Sequence, residues 1–173
     1  MTSEPGARRR TFAVSVAGPS VEDMVTWQLT IDSNDPARMA RFWAPLLGYV
    51  PEPAPDGFDS WLAYYRSVVP EENLSGDPDD YLDRLVDPAG EGPKIWFQPV
   101  PEKKTVKTRF HFDVFVADRS APMEQIIATI DAKVAELVEL GATVDHPSRI
   151  DTDTLQRYSV VMHDPEGNEF CVA

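Results

Sequence analysis

Hydrophobic and polar positions alternate most regularly over residues 109–116. Apolar side chains take every second position there, and the positions between them carry Arg109, His111 and Asp113. A period of two over this length predicts a β-strand with one apolar face and one polar face. A histidine between an arginine and an aspartate on the polar face makes this strand the first candidate for binding or chemistry.

The patterns around this strand occur twice in the same order. In the first half, alternation over 24–32 predicts a strand, and apolar residues at a helical spacing predict a helix that ends at Gly48. In the second half, the strand over 109–116 is followed by a longer helix that ends at Gly141. Both helices start beside a proline and end in Leu-Gly, which agrees with the preferences of helix ends.

Three further strands follow each helix in the pattern. They are predicted at 49–55, 60–68 and 93–100 in the first half, and at 142–150, 155–163 and 169–172 in the second. Residues 69–92 are acidic and rich in Pro, Gly and Asp, which predicts an inserted loop, with a short helix over 79–85 as an option.

Each half therefore has the order βαβββ, which predicts an α+β fold. Two such modules that pair through their sheets would form one curved, mainly antiparallel sheet of eight strands around a cavity, with the helices outside. We expect a peripheral N-terminal tail over 1–20 and one domain over 21–173. Module one covers 24–101 with the acidic insertion 69–92, and module two covers 107–173.

Charge excludes two classes of partner. The chain carries 29 acidic and 16 basic side chains, for a formal net charge of −13. Such a surface repels nucleic acid and anionic membranes, so we expect neither as a partner. No segment approaches the run of about 20 apolar residues that a membrane span needs.

The single cysteine, Cys171, lies in an apolar C-terminal segment. One cysteine forms no internal disulfide, which is typical of a protein in the reducing cytoplasm, and we predict a cytoplasmic location. We interpret Cys171 as a small buried hydrophobic residue and not as a nucleophile.

The polar strand faces would line the predicted cavity. The candidate ligand-binding residues on these faces are Trp96, Gln98, Arg109, Asp113 and, on the aromatic-rich strand over 60–68, Tyr64. Trp96 shares a strand face with Gln98, which makes it the best candidate for the floor of a pocket.

Five segments have a distinctive order and spacing: WQLTID at 27–32, ARFWAPLLGY at 40–49, IWFQPVPE at 95–102, RFHFD at 109–113 and HDPEGNEF at 163–170. With these segments the chain resembles the vicinal oxygen chelate superfamily, and in particular its glyoxalase-like domains. The superfamily includes glyoxalase I, extradiol dioxygenases, fosfomycin-resistance enzymes and bleomycin-resistance proteins. The resemblance implies the fold predicted above, and it leaves the reaction open because the superfamily hosts unrelated chemistries.

The resemblance also implies a ligand set for a divalent metal ion, with one residue from the first and last strand of each module. Carried over by position, the set is Gln28, Gln98, His111 and Glu169. Gln98 stands where a carboxylate or a histidine is usual, so Gln28, His111 and Glu169 are the expected metal ligands. Amide oxygens are neutral and bind cations weakly, so we expect a weak site or no site.

Three classes of function stay open. In an enzyme, a metal ion or Glu169 alone would act with His111 on a small oxygenated substrate, in a lyase, isomerase or dioxygenase reaction. In a binding protein, the same cavity without metal would sequester a drug or metabolite, and the negative net charge favours a cationic one. In a structural or regulatory protein, the sheet edges would mediate dimerisation, and the resemblance itself implies a homodimer. His111 and Glu169 would then be a cavity-wall histidine and a turn-flanking carboxylate.

Overall fold

The structure, a computed structural model, describes residues 27–152 and 155–173. The predicted tail over 1–20 lies outside these residues. The described strands are β1 (Gln28–Ser33), β2 (Val50–Pro51), β3 (Arg84–Val86), β4 (Lys94–Pro99), β5 (Phe112–Val114), β6 (Thr143–Asp151), β7 (Gln156–His163) and β8 (Glu169–Val172). The α-helices are α1 (Pro36–Leu47), α2 (Trp61–Val68) and α3 (Met123–Glu139). None of them combines the length and apolar character that a membrane crossing needs.

The strands form two sheets of four with equivalent topology. The strand order is β1-β4-β3-β2 in one sheet and β5-β8-β7-β6 in the other. In each sheet the first and last strands of the module pair in parallel, and the other pairs are antiparallel. The predicted α+β class and the two βαβββ modules are confirmed. The eight strands do not share one continuous ladder, because β1 and β5 each end their own sheet.

The segment predicted as a strand over 60–68 is instead helix α2, so that prediction is wrong. Trp61 and Tyr65 are four residues apart, a spacing that fits a helix as well as a strand, and the aromatic content favoured a strand. Ser60 decides the outcome locally, because its side chain accepts a hydrogen bond from the Ala63 backbone N–H and caps the helix. The third strand of module one comes from the acidic segment 69–92, in which Arg84–Val86 form β3.

Helix α1 of module one packs on the sheet of module two. The Trp43 ring lies 5.1 Å from the ring of Phe112 on β5 and 5.2 Å from that of Phe170 on β8. Phe42 also meets Phe170, with the ring centroids 5.9 Å apart. Trp43, Phe42 and Phe170 are all buried, so one apolar core spans both modules.

A turn between β7 and β8 holds the start of α1 through hydrogen bonds. The Glu166 carboxylate accepts hydrogen bonds from the Ser33 hydroxyl at 3.0 Å, the Asn34 backbone N–H at 2.9 Å and the Asp35 backbone N–H at 2.7 Å. Asp164 in the same turn accepts a 3.3 Å hydrogen bond from the Trp43 indole. The two acidic residues of this turn therefore hold the segment that leads into α1 and a tryptophan on the helix itself.

Replacing Glu166 with alanine would remove three hydrogen bonds from the start of α1. We expect Glu166→Ala to lower the free energy of unfolding by about 1–3 kcal/mol, since the freed backbone N–H groups at a helix start lose their acceptor. Urea unfolding followed by tryptophan fluorescence would measure the loss. Glu139→Ala, at an exposed position at the end of α3, is the control and should change the value by less than about 0.5 kcal/mol. Equal values for the two variants would contradict the role of Glu166.

Candidate functional site

The predicted site strand, β5, borders two cavities. The first, which we call the aromatic cavity, has a volume of about 480 Å³ and lies between β1 and the β5–β8 pair. The second, which we call the sheet-face cavity, has a volume of about 390 Å³ and lies against the β5–β8–β7 face. His111, directly before β5, lines both cavities.

The aromatic cavity has mostly apolar walls with a few polar groups. Its lining residues are Trp27, Leu29, Thr30, Ile31, Trp43, Thr108, Arg109, Phe110, His111, Phe112, Asp164, Asn168 and Glu169. Trp43 and Phe112 are held by the core, whereas Phe110 is 93% exposed at the cavity margin. An apolar cavity of this size with a few polar groups is typical of a small-molecule site.

Glu169 starts β8 and has its hydrogen-bonding partners within the protein. One carboxylate oxygen accepts hydrogen bonds from the Thr108 hydroxyl at 2.6 Å and from the Thr108 backbone N–H at 3.1 Å. The same oxygen lies 3.1 Å from the Lys104 ammonium group. Burial alone would raise the pKa of Glu169, but the hydrogen bonds from Thr108 and Lys104 outweigh it and lower the pKa to about 2. A carboxylate with such a pKa stays ionised at neutral pH and is a weak general base.

The pKa of Asp164, also at the cavity wall, is shifted in the opposite direction to that of Glu169. Its side chain is buried, and burial raises its pKa, while hydrogen bonds from Asn168, Glu166 and Trp43 oppose the rise. These bonds fix the carboxylate within its own turn, so Asp164 shapes the cavity as a structural residue.

The predicted site residues separate into two groups. Arg109, His111 and Glu169 come together in the aromatic cavity. Asp113 faces the sheet-face cavity, where its carboxylate lies 3.4 Å from His111 Nε2.

The remaining predicted residues lie elsewhere. Trp96 donates a 2.9 Å hydrogen bond from its indole to Asp83. Gln28 and Gln98 lie on β1 and β4, and neither lines the cavities beside β5. Tyr64 lies on α2 and packs against Phe58 and other aromatic rings of that helix. Its predicted position on an inward strand face is wrong, because 60–68 is helical.

The ligand set implied by the resemblance does not fit a divalent ion in this arrangement. Its one carboxylate, Glu169, already has Lys104 as a cationic partner. The Gln28 amide donates to the Thr30 hydroxyl at 3.4 Å, and Gln28 does not share a cavity with His111. We therefore derive no step through a metal ion at this set.

Cys171 is the site residue that sequence reasoning assigned to the core alone. It lies opposite Asp113 in the parallel β5–β8 pair and lines the sheet-face cavity. Burial, followed by the charge of the Asp113 carboxylate and a hydrogen bond to it, raises the pKa of the thiol. The only signal in the sequence is that Cys171 stands two residues after Glu169, on the same side of a strand.

Comparison with known proteins identifies the family. Residues 28–173 match a model of the glyoxalase-like domain. The chain belongs to the glyoxalase-like domain family. The predicted membership of the vicinal oxygen chelate superfamily is thereby confirmed. No protein among the curated ones matches this glyoxalase-like chain.

Solved structures similar to this glyoxalase-like domain share little sequence with it. A glyoxalase/bleomycin resistance protein/dioxygenase family enzyme from Burkholderia phytofirmans PsJN is 18% identical, over 84% of this chain and 94% of that chain, with a TM-score of 0.47. The fosfomycin resistance protein FosX from Mesorhizobium loti is 12% identical, over 86% and 89%, with a TM-score of 0.48. The lactoylglutathione lyase from Agrobacterium tumefaciens is 15% identical, over 88% and 94%, with a TM-score of 0.44. The family assignment rests on the domain match, because these TM-scores are below 0.5.

The lowered pKa of Glu169 predicts a pH-dependent contribution to stability. The contribution is full above the unfolded-state pKa of 4.5 and is lost as the pH falls towards the folded-state pKa of about 2. We expect Glu169→Gln to lower the free energy of unfolding at pH 7 by about 1–3 kcal/mol, with the difference shrinking as the pH falls below 4.5. Urea unfolding over this pH range would test it, with Glu102→Gln at an exposed position as the control. A loss that does not vary with pH would contradict the ion pair with Lys104.

Proposed function

We propose that the protein binds a small organic molecule in the aromatic cavity. The observation that carries the proposal is the composition of this cavity: four aromatic side chains surround a volume of about 480 Å³, and Arg109, His111 and Glu169 lie on its wall. Aromatic walls supply contact area for an apolar ligand body, and a few polar groups orient it. The names of some structural neighbours, which include fosfomycin resistance and lactoylglutathione lyase, agree with a small-molecule role.

The local charges favour a ligand with an oxygen function near Arg109. Two acidic side chains line the cavity: Glu169 is paired with Lys104, and Asp164 accepts hydrogen bonds within its own turn. Arg109 and His111 can then donate hydrogen bonds to a ligand at this wall. The net charge of −13 favours a cationic ligand over the surface as a whole, but the cavity itself favours a carbonyl or a carboxylate.

Among the functions left open, sequestration of a drug or metabolite agrees best with this geometry. An isomerase or lyase that works through an enolate needs a base to abstract a proton, and a carboxylate with a pKa of about 2 is too weak for that role. Glu169 would instead keep Thr108 and Lys104 in place at the cavity wall. Binding without metal requires only an apolar wall and a few polar groups, and the aromatic cavity has both.

An enzyme is the second candidate, and the His111–Asp113 pair favours it. Asp113 lies 3.4 Å from His111 Nε2, and His111 lines the aromatic cavity. The Asp113 carboxylate holds the imidazole ring in place, and an imidazole at the cavity wall could remove a proton next to a ligand carbonyl. Exchange of that proton with deuterium, followed by NMR with small ketones, would detect the reaction. An exchange rate unchanged in His111→Gln would exclude His111 as the base.

Phe110→Ala is the sharpest test of the binding proposal. Phe110 is 93% exposed, so its removal should leave the free energy of unfolding within about 0.5 kcal/mol of the wild-type value. A ligand found by thermal-shift screening of apolar carboxylates and ketones should bind to Phe110→Ala about tenfold more weakly. Removing the phenyl ring from the cavity wall should cost about 1.4 kcal/mol of binding free energy.

Phe115→Ala is the matched control for this test. Phe115 is exposed and lines the sheet-face cavity, not the aromatic one. The ligand should bind to Phe115→Ala as to the wild type. Equal weakening by both substitutions, or no stabilisation by any compound of the panel, would contradict binding in the aromatic cavity.

We further propose that the protein works in the cytoplasm as a homodimer that pairs through β6. A free thiol at Cys171 agrees with a reducing compartment. β6 is the edge strand of the second sheet, its nine residues are all exposed, and two of them, Val144 and Ile150, are large and apolar. An exposed edge strand with apolar side chains is suited to pairing with a second copy.

Ile150→Lys should disrupt such a dimer. A charge at the paired edge opposes association, so we expect a monomer in light scattering where the wild type gives a dimer. Val68→Lys places the same charge on the exposed end of α2 and should leave the dimer intact. A wild-type monomer, or a dimer that persists in Ile150→Lys, would contradict pairing through β6.

A further inference from the structure

Three ligand-type side chains converge on the second sheet beside the aromatic cavity. Asp113 on β5 and Cys171 on β8 are directly opposite each other in the parallel strand pair. His111 lies directly before β5, and its Nε2 atom is 3.4 Å from Asp113 Oδ1. One ligand atom from each of the three residues lies within 4.8 Å of the other two.

We propose that His111, Asp113 and Cys171 bind a zinc ion whose fourth coordination position takes a small anion. Zinc with bonds of about 2.0–2.3 Å in a tetrahedral site holds its ligand atoms about 3.3–3.8 Å apart. His111 Nε2 and Asp113 Oδ1 already lie 3.4 Å apart. The remaining two distances, from Cys171 Sγ to the other two ligand atoms, are no longer than 4.8 Å.

The ligand types select zinc over harder ions. Magnesium and calcium take oxygen ligands, whereas a thiolate, an imidazole and a carboxylate together suit zinc. Three protein ligands leave one position for water or for a ligand, as in catalytic zinc sites. The Cys171 thiol lies beside the Asp113 carboxylate, and a bound zinc ion would displace the thiol proton.

Glu169 explains why the cation would bind here and not at the set implied by the resemblance. Glu169 stands two residues before Cys171 on the same side of β8. Its carboxylate is already bonded to Thr108 and Lys104, and a cation there would compete with the lysine. The proposed site is therefore displaced by two residues along β8, and it keeps His111 as a shared ligand.

The surroundings of the three residues favour an anion as the fourth ligand. The sheet-face cavity, of about 390 Å³, is also lined by Arg119 and Arg157. The Arg119 guanidinium lies 5.2 Å from the Phe115 ring centre, and in the part of the chain that the structure describes neither arginine has a carboxylate partner. A thiolate and a carboxylate cancel the charge of the zinc ion, so the two arginines leave the cavity positive.

This inference goes beyond the proposed function. Asp113 and Cys171 do not line the aromatic cavity, and the aromatic walls play no part in the zinc site. The two proposals fail separately: Phe110→Ala tests the aromatic cavity, and Cys171→Ser tests the zinc site.

Calorimetric titration of the metal-free full chain with zinc chloride tests the proposal. We expect one zinc ion per chain, with binding weakened about tenfold or more in Cys171→Ser and in Asp113→Asn. With cobalt(II) as the probe, the wild type should show a thiolate-to-metal charge-transfer absorption that Cys171→Ser lacks. The spectrum of the wild type alone decides whether sulfur is a ligand, even if a variant fails to fold.

The matched control is His146→Gln. His146 and Asp145 form an exposed histidine–aspartate pair at 3.3 Å without a nearby cysteine ligand, so this substitution should leave zinc binding unchanged. No zinc binding by the wild type would overturn the proposal. So would equal affinity in Cys171→Ser, or a zinc ion that is lost in Glu169→Gln and kept in Cys171→Ser.

Acetate is the probe for the open position. Acetate should change the visible spectrum of the cobalt-loaded wild type, and Arg157→Gln and Arg119→Gln should weaken this response severalfold. Cobalt binding itself should be unchanged in both arginine variants. A spectrum that does not respond to acetate, or responds equally without either arginine, would overturn the anion part of the proposal.

Discussion

The contact between helix α1 and the sheet of module two is the constraint on which the rest of the structure depends. A turn of module two supplies the carboxylates, Glu166 at the start of the helix and Asp164 at Trp43. Trp43 then packs against Phe112 and Phe170, so hydrogen bonds and apolar burial act at the same place. Without this contact, Trp43, Phe112 and Phe170 would lose the apolar partners that join the two modules.

The same contact forms the aromatic cavity. Trp43 and Asp164, which join the modules, are also wall residues of the cavity, so its shape depends on how the modules are packed. Glu169 contributes in another way, since its ion pair with Lys104 ties the segment before β5 to the start of β8. β5 and the residues directly before it thus supply both polar and apolar groups to the cavity wall.

The sequence patterns predict the local elements well and the long-range pairings poorly. β1, α1, α3, β7 and β8 carry regular apolar spacing over most of their length, and the motifs identify the family on the same residues. The helix at 60–68 was missed because Trp61 and Tyr65 fit both periodicities, and the cap at Ser60 decides between them.

The candidate site was only partly predictable for a related reason. The alternation over 109–116 predicts a longer strand than the observed Phe112–Val114. Arg109 and His111 do line one cavity, but Phe110 and Phe112, which the alternation puts on the opposite face, line it too. The position of Cys171 beside Asp113 depends on the register of two strands far apart in the chain, which composition does not encode. Gln28 and Gln98 were grouped with His111 through the resemblance to the superfamily, and that grouping depends on how the two sheets are arranged.

His111 belongs to both cavities, and this position has a thermodynamic consequence. An ion on its Nε2 atom fixes the tautomer and the orientation of the ring, and the same ring forms part of the wall seen by a ligand in the aromatic cavity. The two binding equilibria are then linked through one imidazole. If a bound metal ion changes the affinity for the organic ligand by some factor, the bound ligand changes the affinity for the metal ion by the same factor.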